Sequence, residues 1–526
     1  MSKVVILGCH PLQDCLTRQY KSRGCHVDSL PLARAGDIDI DACDELFMLA
    51  DIESPNPVEA DYEAVAMVGR IADKVQHPPH GKGSITCHLM LQSQKVLHMM
   101  QTSDFCKMVR SRMDVYPFTM ASLWSECIRL DHVPINYLSE KHAHLVIFGM
   151  NEISEMVAVK AALMAHYPNY VRNHMLRTRI TIVDEHAGDH CNSFVKRYQH
   201  LFDNSYYRVV KPSEAMAVTM FHKPVYEGLR EDFVDVEWEF VEAGVNDTEI
   251  RYKLKRWSAD DGQLLTVVMA DTNGSKNVCD ALMLPDDLME RHTPVYVYSP
   301  QKVDLDSFQD IHFFGMLDSG YDVSLPLVRM AKNVNYIYDR CYEENIAAGN
   351  ALPGAMQSND GNPFINDDTL RYAVEIDFDE REKSWRRLSS VKRMSSIYNA
   401  MTIATKMRSV GLEEDEWGKF YDISQEDIEL LAQVEHNRWC VEELILGYRP
   451  CDDEEQEMVE LDIKQKRVLK GNMIHYDLRA YDDLRPDETG KSSKVYDLCL
   501  CSCLPLIAKA FADETSKCER TNSKVD

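Results

Sequence analysis

At 526 residues and 60.4 kDa the chain is too long for one ordinary hydrophobic core, and at ~100–200 residues per domain it calls for three or four. Hydrophobic residues make up 45% and charged residues 27%, which excludes a disordered or collagen-like chain, and 58 basic against 85 acidic side chains leave a net charge of −27 that repels phosphate backbones and argues against general nucleic-acid binding. The 16 cysteines are scattered rather than framework-spaced, as in a cytoplasmic protein with reduced thiols.

The first element is the apolar run Val4 to Leu7, closed by Gly8. It is too short for a signal peptide and reads as a buried strand. A helix follows from Leu12 to Arg23, then a strand in "CHVDSL" and further strands at Glu45 to Ala50 and Ile85 to Leu91, with loops in "DIESPNPVEAD" and "HPPHGKG". Residues 1–138 are therefore expected to form an N-terminal α/β, Rossmann-like domain.

The pattern restarts at "HLVIFG", followed by the helix "NEISEMVAVKAALMAHYPNYV" and the strand "TRITIVDE". Three more strands are expected at Leu264 to Ala270, Val295 to Tyr298 and Ile311 to Phe314, so 139–320 reads as a second doubly wound domain. Gly8 and Gly149 stand alike at the ends of first strands, through either duplication or shared strand-turn-helix rules.

A turn at a strand's carboxyl end presents helix N–H groups to a phosphate, and an acid ending the next strand can bind a ribose. Gly149, Met150, Asn151 and Asp184 occupy those positions. The later glycines of G-x-G-x-x-G are absent, since Asn151 and Ser154 replace them, so the domain either binds a nucleotide there or keeps only the shape.

"DEHAGDHC" after the second strand counts like a metal site but lies in one expected loop without a distant partner, and "KHAH" and "CLCSC" are similarly isolated, so no metal is expected. No nucleophile elbow, zinc-protease helix or Walker A run is present, and no catalytic residue is assigned.

Residues 321–423 read as a helical connector. One helix carries Leu327, Met330, Val334, Ile337 and Cys341 at helical spacing, and "SWRRLSSVKRMSSIYNAMTIATKMR" reads as another, with a Gly/Pro/Asn/Asp-rich linker, "AAGNALPGAMQSNDGNPFINDD", between them. A last module, 424–512, opens with Ser424 capping a helix that ends at Gly447. Six acids in 451–460 and the basic run Lys464, Lys466, Arg467, Lys470 then suggest a loop or hairpin with a positive patch. A final helix spans about 493–510, and 513–526 is expected to be a disordered tail.

Arg438 beside Trp439 on one helix, with Asn437 before them and Tyr448, His475, Asp477 and Tyr481 following, can hold a planar or anionic ligand by hydrogen bonding and stacking. The alternative is that Trp439 is core and Arg438 is paired to an acid. The order N-R-W, G-Y, H-x-D-L, Y-x-x-L, carried by Asn437, Arg438, Trp439, Gly447, Tyr448, His475, Asp477, Leu478, Tyr481 and Leu484, resembles the RyR domain of ryanodine-receptor channels and of bacterial and phage proteins. The segment around Gly149 and Asp184 looks like the NAD-binding TrkA-type domain of potassium uptake systems.

These resemblances imply a fold class of two Rossmann-like α/β domains followed by a mainly helical region and a small RyR-type domain. They imply a soluble, cytoplasmic, regulatory protein that senses a nucleotide, NAD or another adenine nucleotide, in the central domain and a small ligand or partner peptide at the RyR-type domain. The alternatives are an NAD(P)-dependent or nucleotide-processing enzyme and a non-catalytic oligomeric scaffold. A homo-oligomer is expected. A membrane-protein partner stays open, without insertion of this chain.

Overall fold

The computed structural model describes residues 3–50, 56–75, 85–102, 112–211, 217–224, 234–303, 310–343, 376–418, 423–484 and 492–522. The linker "AAGNALPGAMQSNDGNPFINDD", the "HPPHGKG" loop, residues 51–55 and the final four residues lie outside these.

The apolar runs expected to be buried strands lie in two mainly parallel sheets. β1 (Lys3–Leu7), β2 (His26–Leu30), β3 (Glu45–Leu49), β4 (Ile85–Met90) and β5 (Met113–Phe118) form the first, in the order β2-β1-β3-β4-β5, with α1 (Leu12–Ser22), α2 (Pro57–Lys74) and α3 (Gln94–Thr102) between strands. Gly8 is required after β1: at φ +117° it approaches Leu49 so closely that a Cβ would collide with the Leu49 carbonyl oxygen.

The second sheet contains β6 (His142–Phe148), β7 (Thr178–Asp184), β8 (Tyr206–Lys211), β9 (Ala217–His222), β10 (Val236–Glu242), β11 (Gln263–Met269), β12 (Val295–Tyr298) and β13 (Ile311–Phe314), in the order β13-β12-β11-β6-β7-β10-β8-β9. Every pairing is parallel except β8 with β9. Without the β8–β9 edge hairpin this is the doubly wound order 3-2-1-4-5-6, whose direction reverses between β6 and β11. The chain is thus an α/β protein of Rossmann-like architecture with a large helical part.

α4 (Glu152–Met164) follows β6, and the helical part contains α5 (Pro326–Tyr342), α6 (Phe378–Arg387), α7 (Ser390–Ser409), α8 (Gln425–Ile445), α9 (Lys494–Ser502) and α10 (Leu504–Asn522). Its apolar core runs from Met330 and Ile337 through Trp385, Ile403 and Leu431 to Leu504 and Ile507. Cys440, Val441, Leu444 and Ile445 of α8 instead join the core of the second sheet, so α8 is shared between the two parts.

Several expectations are corrected. The helix expected to run unbroken through 384–408 breaks at Leu388, and Ser389 caps α7 by accepting from the Lys392 N–H at 3.3 Å. The segment after Pro450 is two short helices, Asp453–Leu461 and Gln465–Gly471, the first started by a capping box between Asp452 and Glu455. "DEHAGDHC" enters a helix, Ala187–Arg197, instead of remaining a loop. The tail expected from 513 is helical through Asn522. No single described helix is long and apolar enough to cross a membrane, although α9 with the first part of α10 passes that test as a pair bent by 41°.

Candidate functional site

The crevice at the β6/β11 reversal is where a doubly wound sheet holds a nucleotide. Here its polar groups are satisfied by the chain itself. Asp184 accepts from the Met150 N–H at 3.0 Å and the His186 N–H at 2.8 Å. The Asn151 carboxamide caps α4, accepting from the N–H groups of Ile153 at 2.9 Å and Ser154 at 3.4 Å and donating to the Ala270 carbonyl at 2.5 Å. Gly149, at φ +93°, packs where a Cβ would stand 3.1 Å from the Asp271 nitrogen. Gly149, Met150, Asn151 and Asp184 therefore lie together, with Met150 bonded to Asp184 and the Asn151 carboxamide engaged by its own helix and by Ala270.

A different site lies in the helical part. A cleft of about 460 Å³ is walled by Asn335, Tyr338 and Asp339 of α5, Lys392, Ser395 and Asn399 of α7, Glu435, Arg438 and Trp439 of α8, and Lys466, Lys470, His475 and Asp477 beyond it, closed by Ser493, Tyr496 and Asp497. It thus gathers Arg438, Trp439, His475, Asp477, Lys466 and Lys470 from the sequence-expected set. Lys464 and Arg467 are exposed and do not line it. Asn437 points elsewhere, donating to Asp235 of the second sheet at 3.4 Å. Tyr448 and Tyr481 stand behind the wall, Tyr448 against the His475 ring at 5.9 Å and Tyr481 against His436 at 5.7 Å.

The expectation that the Arg438 guanidinium grips a ligand is corrected by its partners. Arg438 is 1% exposed; Nε and Nη2 donate to Glu435 at 2.8–3.0 Å and Nη1 to Glu442 at 2.6 Å. Lys406 also pairs with Glu435. Burial alone would raise the Glu435 carboxyl, but Arg438 and Lys406 outweigh it and hold the group at about 2. Arg438 is a structural strut. Trp439 is half-buried, with its ring edge-on to His475 at 4.9 Å.

The cleft is zwitterionic on one side. Lys466 pairs with Asp477 at 2.6 Å, and Ser493 donates to the same carboxylate at 2.7 Å. Lys470 Nζ lies 3.1 Å from His475 Nε2; burial, then Lys470, push His475 down to about 3, so its ring is neutral. On the opposite side Asn399 is 2% exposed, and neither its carboxamide oxygen nor its nitrogen has a partner. An orphaned carboxamide beside a cavity is costly unless something completes it. The two mid-helix asparagines, Asn335 and Asn399, were the sequence signal available for this wall, since Asn is a poor choice inside a helix packed on its neighbours.

A second cavity, about 440 Å³ and mostly apolar, sits where both sheets meet the helical part. Leu97 and His98 of α3, Phe118, Met156 and Lys160 of α4, and Leu325 line it, together with Arg393, Met394, Ile397 and Tyr398 of α7. Lys160 is 6% exposed and pairs with Glu126 at 3.2 Å. By helical period, the α7 residues in this wall lie opposite those lining the cleft.

No family model matches the chain, and no curated protein does. Among solved structures, a dipicolinate synthase polypeptide from Bacillus halodurans is similar over 59% of this chain and 88% of that one, at 10% identity and a TM-score of 0.19, too low a score to support any argument.

Proposed function

We propose that this protein is a regulatory ligand-binding protein whose ligand, small, planar and anionic in part, occupies the cleft beside Trp439. The lysines 392, 466 and 470 suit an anion, Trp439 offers a ring face or edge, and the Asn399 carboxamide suits a group with adjacent donor and acceptor. Four of the motif residues that resemble the RyR domain, Arg438, Trp439, His475 and Asp477, line this cleft, in keeping with a sensing role. A membrane-protein partner and a homo-oligomer belong to the same reading, with the edge strand β9 and its exposed Val218, Met220 and Phe221 as the contact between copies.

The observation that carries a regulatory reading over a catalytic one is that α7 forms a wall of both cavities. A ligand seated on one flank of α7 acts on the junction of the two sheets through the same rigid element. A thermal-shift screen of ATP, AMP, NAD and cyclic dinucleotides tests this. Binding at a hundredfold excess over Kd stabilises by about 2.7 kcal/mol. The shift is expected to vanish in Trp439→Ala and Lys470→Ala and to persist in Asp184→Ala. Loss in Asp184→Ala alone would instead place the ligand in the β6/β11 crevice and restore the nucleotide reading of the central sheet. Conversion of NAD(P) by the purified protein would favour an enzyme.

A further inference from the structure

The "CLCSC" run, isolated in the sequence, acquires a partner in the fold. Cys499 lies in α9 and Cys503 at its end, four residues apart and hence on one side, and Cys341 arrives from the last turn of α5. The three Sγ atoms lie within 4.8 Å of one another, and each residue is 0% exposed. Cys501, two residues from either neighbour along the helix, is not part of this group.

We propose that Cys341, Cys499 and Cys503 form a three-coordinate, all-sulfur site for a soft thiophilic ion. Bonds of ~2.3 Å set three sulfurs roughly 4 Å apart around a planar trigonal ion and roughly 3.5 Å apart around a pyramidal one such as trivalent arsenic, so a cluster whose sulfurs lie within 4.8 Å needs only to contract. Among the described residues no fourth His, Cys, Asp or Glu joins the group, so the tetrahedral set that zinc takes in structural sites is not provided. Softness and low coordination number select copper(I) or trivalent arsenic.

Charge decides between these. Three thiolates around copper(I) carry a net charge of −2 into an apolar core, whereas trivalent arsenic gives a neutral tris-thiolate. The step is a condensation without redox change: arsenous acid, As(OH)₃, exchanges three As–O bonds for three As–S bonds, and each thiol proton leaves with a hydroxide as water. The apolar surroundings of the three buried sulfurs therefore oppose a charged complex more than this neutral one.

Reduced full-length protein is incubated separately with arsenous acid, copper(I) and zinc(II), desalted, and measured by elemental and native mass spectrometry. One arsenic per chain is expected on the wild type, with copper(I) second and zinc lost on desalting. Cys341→Val, Cys499→Val and Cys503→Val are each expected to lose it, and Cys501→Val to keep it. Equal retention by all four variants, no arsenic on the wild type, or zinc held more tightly than both other ions overturns the proposal. Should a cluster variant fail to fold, X-ray absorption on the arsenic-loaded wild type decides: three sulfur neighbours support the site, and a retained oxygen neighbour overturns it.

Discussion

Lys406 of α7 and Glu435 of α8 are ion-paired although each is only 2% exposed, and Glu435 simultaneously binds Arg438. Removing one member strands charge in the core, so Lys406→Met is expected to destabilise the protein by about 3 kcal/mol in urea unfolding. Glu435, held at about 2 against an ordinary 4.5, stabilises the fold fully above the unfolded value and loses that contribution as pH falls towards 2. Glu435→Gln should therefore be less stable than wild type at pH 7 and lose less of its stability between pH 4.5 and 2.5.

Glu443 titrates in the opposite sense. Burial first, and then neighbouring Glu442, push its carboxyl up to about 7 from 4.5. The folded state gains from the proton fully below pH 4.5 and loses that gain as pH rises through 7. Glu443→Gln is expected to flatten the fall in stability between pH 5 and 8, by on the order of 1–3 kcal/mol, measured as melting temperature against pH.

Asn399→Leu separates binding from folding. Replacing an orphaned carboxamide by an apolar group of similar size should leave the melting temperature of the free protein unchanged or higher, while abolishing the ligand-induced shift. A variant that melts several degrees lower would show that the carboxamide is satisfied in solution.

Asp184→Ala leaves the Met150 and His186 N–H groups without their acceptor and should cost about 1–2 kcal/mol in urea unfolding. If Asp184 serves the fold alone, this loss is the same with and without a saturating nucleotide.

Phe221→Lys tests the outer edge of the second sheet. Sedimentation equilibrium at micromolar concentration is expected to show a dimer for wild type and a 60.4 kDa species for the variant.

Uninterrupted apolar runs made β1, β3, β4, β6, β7 and β11 legible in the sequence. β10, "VEWEFVE", was not, although it lies between β7 and β8. Its Glu237 and Glu239 look like solvent positions but are neutralised across the sheet by Arg179 at 2.6 Å and Arg208 at 2.5 Å. β5 was hidden by Pro117 and β8 by its mixed composition. Of the cleft, the α8 and His475 to Asp477 walls were legible through their motif; Asn335 and Asn399 come from separate helices whose proximity only the fold creates. Arg438 misled because a sequence shows a guanidinium without showing that Glu435 and Glu442, three and four residues on either side, already hold it.

Along the twenty residues of α7, Lys392 alone is exposed. Its two opposite sides face the cleft and the junction cavity, so one helix separates the two spaces. An occupant that displaces α7 away from the cleft is therefore expected to narrow the junction cavity, and one that swells the junction to narrow the cleft. Two molecules could then exclude each other from this protein at a distance, as antagonists that never share an atom of contact.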